Sequence, residues 1–303
     1  MMLPRIFLLA GLALGVLALR AARADDSGYV RINLTRSWQN HMVAPVRLNG
    51  RNAQLIVDTG AVCSCLDPAK DWGVQSKKGA VVTLNGKPHG VTQLDSMGIG
   101  PVEIRNVKMA LVSIRDYNAL RDFGEVHADG ILGLDALRLG RAVIDCQHLR
   151  LFWKAVPGAP DVMAATLRAA GWTAVKLELK NNLYFANGTV NETPARLLVD
   201  TGAFATLVDR NFAALASLKA GGTRLQTKGI HHEDTQSRVA YPKTFAIGDL
   251  RLKDFPVAIS ALHKPGLLDK TVSGVIGGDV LGRNLGVIDC EQHVLYLKSP
   301  GAR

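Results

Sequence analysis

Two aspartates stand where an apolar run ends. Leu55-Ile56-Val57 leads into Asp58-Thr59-Gly60-Ala61, and Leu197-Leu198-Val199 leads into Asp200-Thr201-Gly202-Ala203, 142 residues later. A carboxylate carried toward a core is costly unless it is paired or hydrogen-bonded. One Asp-Thr-Gly triplet reads as a turn. Two at matching places, each after three apolar residues and each followed by Ala, call for a shared purpose. If two halves of the chain pack about a pseudo-twofold axis, the loops face each other and Asp58 meets Asp200. Carboxylates at hydrogen-bonding distance do not both ionise, so the pair shares one proton and titrates as a unit. One member then takes a proton from water while the other polarises a carbonyl, which is general acid–base hydrolysis of an amide with no metal and no covalent intermediate. Gly60 and Gly202 permit the tight turns, and the hydroxyls of Thr59 and Thr201 are placed to lock the loops across the axis.

The elements that position these loops repeat as well. Ile99-Gly100 recurs as Ile247-Gly248, Gly130-Ile131-Leu132-Gly133 as Gly274-Val275-Ile276-Gly277, and Val143-Ile144-Asp145-Cys146 as Val287-Ile288-Asp289-Cys290, all in the same order. Two homologous halves follow. Alternation of apolar and polar residues predicts strands over 30–34 and 43–48, and over 175–179 and 184–190 in the second half. Turns fall at Asn49-Gly50 and near Asn191-Glu192, and the halves end in strands at 149–153 and 294–297. Short helices are expected at 135–139 and 279–281, capped by Asp135 and Asp279, and at 161–170 and 212–218. Pro157, Gly158 and Pro160 mark a linker. The expected division is 1–24 leader, 25–155 first lobe, 156–171 linker and 172–303 second lobe.

On these motifs the sequence resembles the retropepsin-like and pepsin-like aspartic proteases, over about residues 29–154 and 172–298. The resemblance implies an all-β, bilobal acid-protease fold with two β-barrel-like lobes about a pseudo-twofold axis. It implies Asp58 and Asp200 as the catalytic dyad, Thr59, Gly60, Thr201 and Gly202 as loop support, and a second motif, 131–133 and 275–277, passing behind each loop. It also implies a hairpin flap after each loop, at 81–91 with Gly86 at the tip and at 223–239 with Gly229 at the tip. Ala61, Cys63, Gly86, Ala203 and Gly229 are the expected substrate contacts. The arrangement is similar to bacterial envelope aspartyl proteases. Val62 and Phe204, with Leu134 and Gly278, replace the acid–Arg pair usual in viral enzymes. Ala61 and Ala203 replace the Ser or Thr usual in pepsin-like ones, which removes a hydrogen bond to each carboxylate and predicts an optimum less acidic than pepsin's.

Composition sets the setting. The 303 residues are 48% apolar and 20% charged, a globular balance. The net charge of +10 is dispersed along the chain without a block of like charge, and no stacking or zinc motif accompanies it, so nucleic acid is not an expected partner. Arg5, the apolar run 6–19 and Ala22-Arg23-Ala24 form a secretory leader, short for a bilayer span of about 20 residues. The leader predicts a periplasmic or secreted protein cleaved after Ala24, with a retained anchor as the alternative. No cofactor or metal is expected: His231-His232-Glu233-Asp234 lacks a zinc spacing, and Cys63-x-Cys65 reads as buried thiols. Cys146 and Cys290 occupy equivalent places, leaving a disulfide across the axis open. Asp145 and Asp289 read as strand-end or turn residues. The function read from all this is a monomeric aspartic endopeptidase acting on an extended peptide. A non-catalytic peptide-binding or scaffold protein of the envelope is the alternative, and salt-sensitive binding to an envelope polyanion is a third reading.

Overall fold

The hairpin at Asn49-Gly50 begins the fold. Met42–Leu48 and Arg51–Val57 pair antiparallel with Leu48 opposite Arg51, and both turn residues take left-handed backbone, φ 48° and 80°, as a two-residue hairpin turn requires. The computed structural model describes residues 17–18, 28–37, 39–74, 76–84, 86–114, 127–154, 162–227, 235–263, 268–284 and 286–298. Among these, the strands form three sheets. The fold is mostly β, with two repeated lobes on either side of a shared sheet.

In the first lobe, Arg51–Val57 runs parallel to Gly130–Leu132. That strand pairs antiparallel with Cys65–Leu66, which runs parallel to Val102–Leu111. The long hairpin Lys87–Ile99/Val102–Leu111 closes the sheet back onto Met42–Leu48, so this lobe is barrel-like. The second lobe repeats the order: Thr193–Val199 parallel to Gly274–Ile276, Leu207–Asp209 antiparallel to it and parallel to Val257–Ser260. A parallel strand threaded between the two strands that flank each Asp-Thr-Gly loop therefore fixes where each loop leaves its sheet.

The third sheet joins the lobes. It has six strands, in the order Thr173–Lys176, Val294–Leu297, Val287–Asp289, Val143–Asp145, Arg150–Lys154, Tyr29–Asn33. At its centre Ile144 lies opposite Ile288, which places the pseudo-twofold axis there. One apolar core runs continuously through both lobes, with Trp153, Tyr184, Phe245 and Ile288 fully buried in it.

The structure corrects three expectations. The helices run over Leu134–Leu139 and Gly278–Arg283, with Gly133 and Gly277 at the cap positions and no side-chain cap; Asp135 and Asp279 lie inside the first turn, where each accepts from the next N–H, Ala136 and Val280, at 2.8 Å. The helix expected at 161–170 runs over Val162–Ala169, and the one expected at 212–218 runs over Arg210–Leu215, starting earlier than the apolar pattern suggested because Asp209 caps it through Asn211 and Phe212 N–H. All four cysteines are free. Cys146 N–H bonds Gly286 and Cys290 N–H bonds Ala142, so the two cysteines sit four residues apart along the ladder, roughly 13 Å at the rise of a strand, beyond the ~7 Å a disulfide tolerates.

Of the remaining expectations, most of the 1–24 leader, the Gly229 tip and the 231–234 cluster lie outside the described residues. Leu17–Ala18, within the expected leader, pairs with Glu103 and Ile104. No helix among the described residues is long and apolar enough to cross a membrane.

Candidate active site

Asp58 and Asp200 leave their strands at equivalent points. Asp58 N–H bonds Leu132 carbonyl and Asp200 N–H bonds Ile276 carbonyl, both at 3.1 Å. The central strands behind the loops thus hold the backbone of each aspartate. Each carboxylate turns back on its own loop: Gly60 N–H donates to Asp58 Oδ1 and Gly202 N–H to Asp200 Oδ1, both at 2.8 Å. Glycine is required at both places by the opposite carboxylate. A Cβ on Gly60 would come within 2.4 Å of Asp200 Cγ, and one on Gly202 within 2.5 Å of Asp58 Cγ.

The threonines interlock. Thr59 N–H donates to Thr201 Oγ1 at 3.0 Å, and Thr201 N–H to Thr59 Oγ1 at 3.1 Å. Each hydroxyl then donates across the axis, Thr59 to Val199 carbonyl and Thr201 to Val57 carbonyl, both at 2.7 Å. Both side chains are buried, so each hydroxyl is used as donor and acceptor with no water to substitute.

Each carboxyl group lies against the glycine of the opposite loop, and each acts on the protonation of the other. Burial pushes both above the usual carboxylate range; Asp200 goes well above it, with the charge of Asp58 adding to the desolvation. For Asp58 its partner Asp200, the Gly60 N–H and nearby His41 work against that rise. Such a pair holds one proton between its members over a range that neither would show alone.

Four further contacts, absent from the motif reading, steady the loops. Ser64 hydroxyl bridges Gly133 N–H, 3.0 Å, and Asp135 Oδ1, 2.8 Å. Thr206 hydroxyl does the same for Gly277 N–H, 3.1 Å, and Asp279 Oδ1, 2.7 Å. This is what Asp135 and Asp279 do in place of capping. Asn182 donates to Val62 carbonyl and accepts from Arg138, joining the second lobe to the first loop. His41 reaches the opposite way, its Nε2 2.9 Å from Gly202 carbonyl. Ser64 and Thr206 lie 142 residues apart and Asp135 and Asp279 lie 144 apart, so a fuller comparison of the repeats could have found that device. Nothing local in the sequence marks His41.

The aspartyl protease family model matches twice, over residues 44–136 and 186–280. The chain belongs to the aspartyl protease family. No curated protein is similar enough to count as a relative. Among solved structures, this aspartyl protease family member is similar to an aspartic proteinase from Irpex lacteus at 14% identity and TM-score 0.54, covering 90% of this chain and 98% of that one. It is also similar to conglutin gamma, a basic 7S globulin from lupine seeds, at 10% identity and TM-score 0.52, covering 90% and 95%. The basic 7S globulin of soybean follows at 9% and 0.50, covering 89% and 95%. At such identities the likeness is one of fold.

The remaining candidates fall as follows. Ala61 N–H bonds Asp58 carbonyl and Ala203 N–H bonds Asp200 carbonyl. Gly86 sits in the turn of the Ser76–Leu84/Lys87–Ile99 hairpin with φ 76°. Cys63 packs against a cluster around Val43 and Ile56, and burial pushes its thiol up to about 12. Among the described residues no group of His, Cys, Asp and Glu could hold a metal. A cavity of about 770 Å3, lined by Arg31, Arg47, Lys70, His127 and Asp129 among others, contains neither member of the pair.

Proposed function

We propose that this protein is an aspartic endopeptidase in which Asp58 and Asp200 are the catalytic dyad. The observation that carries the reading is the approach of two buried carboxyl groups, one from each lobe, each set against the opposite loop's glycine within a reciprocal threonine lock. In the singly protonated pair the ionised carboxylate takes a proton from water, and the oxygen attacks the peptide carbonyl carbon. The protonated partner donates to the carbonyl oxygen, giving a tetrahedral diol. The carboxyl that took the water proton then donates it to the amide nitrogen, a diol hydroxyl gives its proton to the other carboxylate, and cleavage of the C–N bond releases the amine and the carboxylic acid with one proton again on the dyad. The substrate lies extended between the lobes, bonded through its main chain. Exposed Phe204 beside the dyad and exposed Val81 on the first hairpin, both more than half accessible, favour apolar side chains on the substrate. The lobes divide at 156–171, the leader is removed after Ala24, and the mature chain acts outside the cytoplasm as a monomer.

The test is cleavage of an unbiased peptide library from pH 3 to 8 by the mature chain, beside Asp58→Asn and Asp200→Asn. The expected result is cleavage by the parent and a loss of at least about a thousandfold in both variants, as removal of a member of a catalytic unit produces. Folded parent without cleavage at any pH would favour a binding role, and equal cleavage by the variants would place the chemistry elsewhere.

A further inference from the structure

His41 precedes the Met42–Leu48 strand of the first lobe, yet its ring is turned to the second. Its Nε2 lies 2.9 Å from Gly202 carbonyl. A carbonyl only accepts, so Nε2 carries a hydrogen and donates it, and Nδ1 is the position that gains or loses a proton. The ring is also close enough to Asp58 to feel its charge. One side chain thus touches the loop of Asp200 and acts on Asp58. The repeat makes this one-sided: the residue 142 positions on is Leu183, an apolar side chain packed against the second lobe's cluster.

We propose that His41 is a positioning residue for the dyad, holding the Gly202 carbonyl through Nε2 and favouring the ionised form of Asp58 whenever Nδ1 is protonated. This rests on the hydrolytic reading above. The Gly202 carbonyl and the Ala203 N–H belong to one peptide plane, and Ala203 N–H bonds Asp200 carbonyl at 3.3 Å. His41 holds the other edge of that plane, so the loop carrying Asp200 is fixed from both sides. Among the charged groups of the elements packed here, Asp58 is the one that acts on the ring. Arg36 is turned to Asn40 and to Cys146 carbonyl, and Asp279 is taken by Thr206.

The sign of the effect follows. Burial lowers the pKa of His41, with Asp58 and the Gly202 bond opposing, so the ring is a cation only on the acid side of its own lowered titration. A cation there draws the ionisation of Asp58 to lower pH. A neutral ring exerts no such pull. Loss of the charge should therefore raise the acid limb of the kcat/KM profile.

The experiment compares the parent, His41→Gln and His41→Ala, with kcat and KM measured across pH and thermal melts to verify folding. Gln retains an N–H donor near the Nε2 position but does not titrate. The expected result is an acid limb raised by about half a pH unit or more in both variants, with kcat lowered about tenfold in His41→Ala and about threefold or less in His41→Gln, since only Ala loses the tether. An acid limb unmoved in His41→Gln overturns the proposal. A second readout needs no turnover: the His41 ring is titrated by NMR in the parent and in Asp58→Asn. Linkage requires His41 to titrate lower in Asp58→Asn, and an unchanged titration overturns the proposal even in a protein that cleaves nothing. Absent cleavage by the parent would instead sink the hydrolytic reading.

Discussion

A buried carboxyl pair stabilises the fold only while it keeps its proton. Both Asp58 and Asp200 are raised above the usual range by burial. A group raised in the folded state contributes its stability below the unfolded pKa, about 3.9 for Asp, and loses it as pH rises through the folded value. Asp200→Asn removes the ionisation that the site resists. It should melt higher than the parent at pH 7, and the difference should shrink toward pH 4, as the parent pair takes up protons. Calorimetry at the two pH values checks this, and a gap that widens on acidification would contradict it. The same raised range places the alkaline limb of activity above that of an exposed carboxylate, the direction expected from Ala at positions 61 and 203. Residue chemistry and residue burial thus act together: the chemistry needs two acids, and burial makes them share a proton.

At the scale of elements, the two hairpins entering the loops differ in one informative residue. Asn49-Gly50 and Asn191-Glu192 occupy equivalent turns, and Glu192 is held at φ 65°. A residue with a Cβ pays in that conformation what glycine does not. Glu192→Gly should therefore stabilise the protein by about 1 kcal/mol, read as a higher denaturant midpoint at unchanged m; a lower midpoint would show that the Glu side chain contributes more than its backbone costs. The helices give a second example. Asp135 and Asp279 sit where a cap is expected from local pattern, but Ser64 and Thr206, distant in sequence, take their carboxylates. A local signal fails there because a tertiary partner offers a buried, charge-assisted hydrogen bond.

At the scale of the molecule, the lobes are joined through the six-stranded sheet, the threonine lock and cross-lobe contacts such as Lys154 with Glu291, 2.6 Å. The joint uses no covalent link. Mass measurement of the mature protein under non-reducing, denaturing conditions with a thiol label should find four free cysteines. Loss of two hydrogens and two labels would mean that the ladder register at Cys146 and Cys290 shifts in solution. Because the central strands pair with one another, the six-stranded sheet draws on both lobes, and one core runs through both.

The sequence alone determined the class of the fold and the identity of the paired acids. Period-two strands, turn residues and a duplicated Asp-Thr-Gly are local or repeated features, and repetition is visible without coordinates. Thr59 and Thr201 were legible for the same reason. Only the tertiary structure decided what depends on separations through space. It placed the Gly60 backbone against Asp200, gave Ser64 to Asp135 and kept Cys146 away from Cys290 by ladder register. It also turned His41 across the axis to Gly202. Those contacts join positions more than 60 residues apart along the chain, and they form because packing two lobes leaves buried polar groups that must find partners, wherever in the sequence those partners lie.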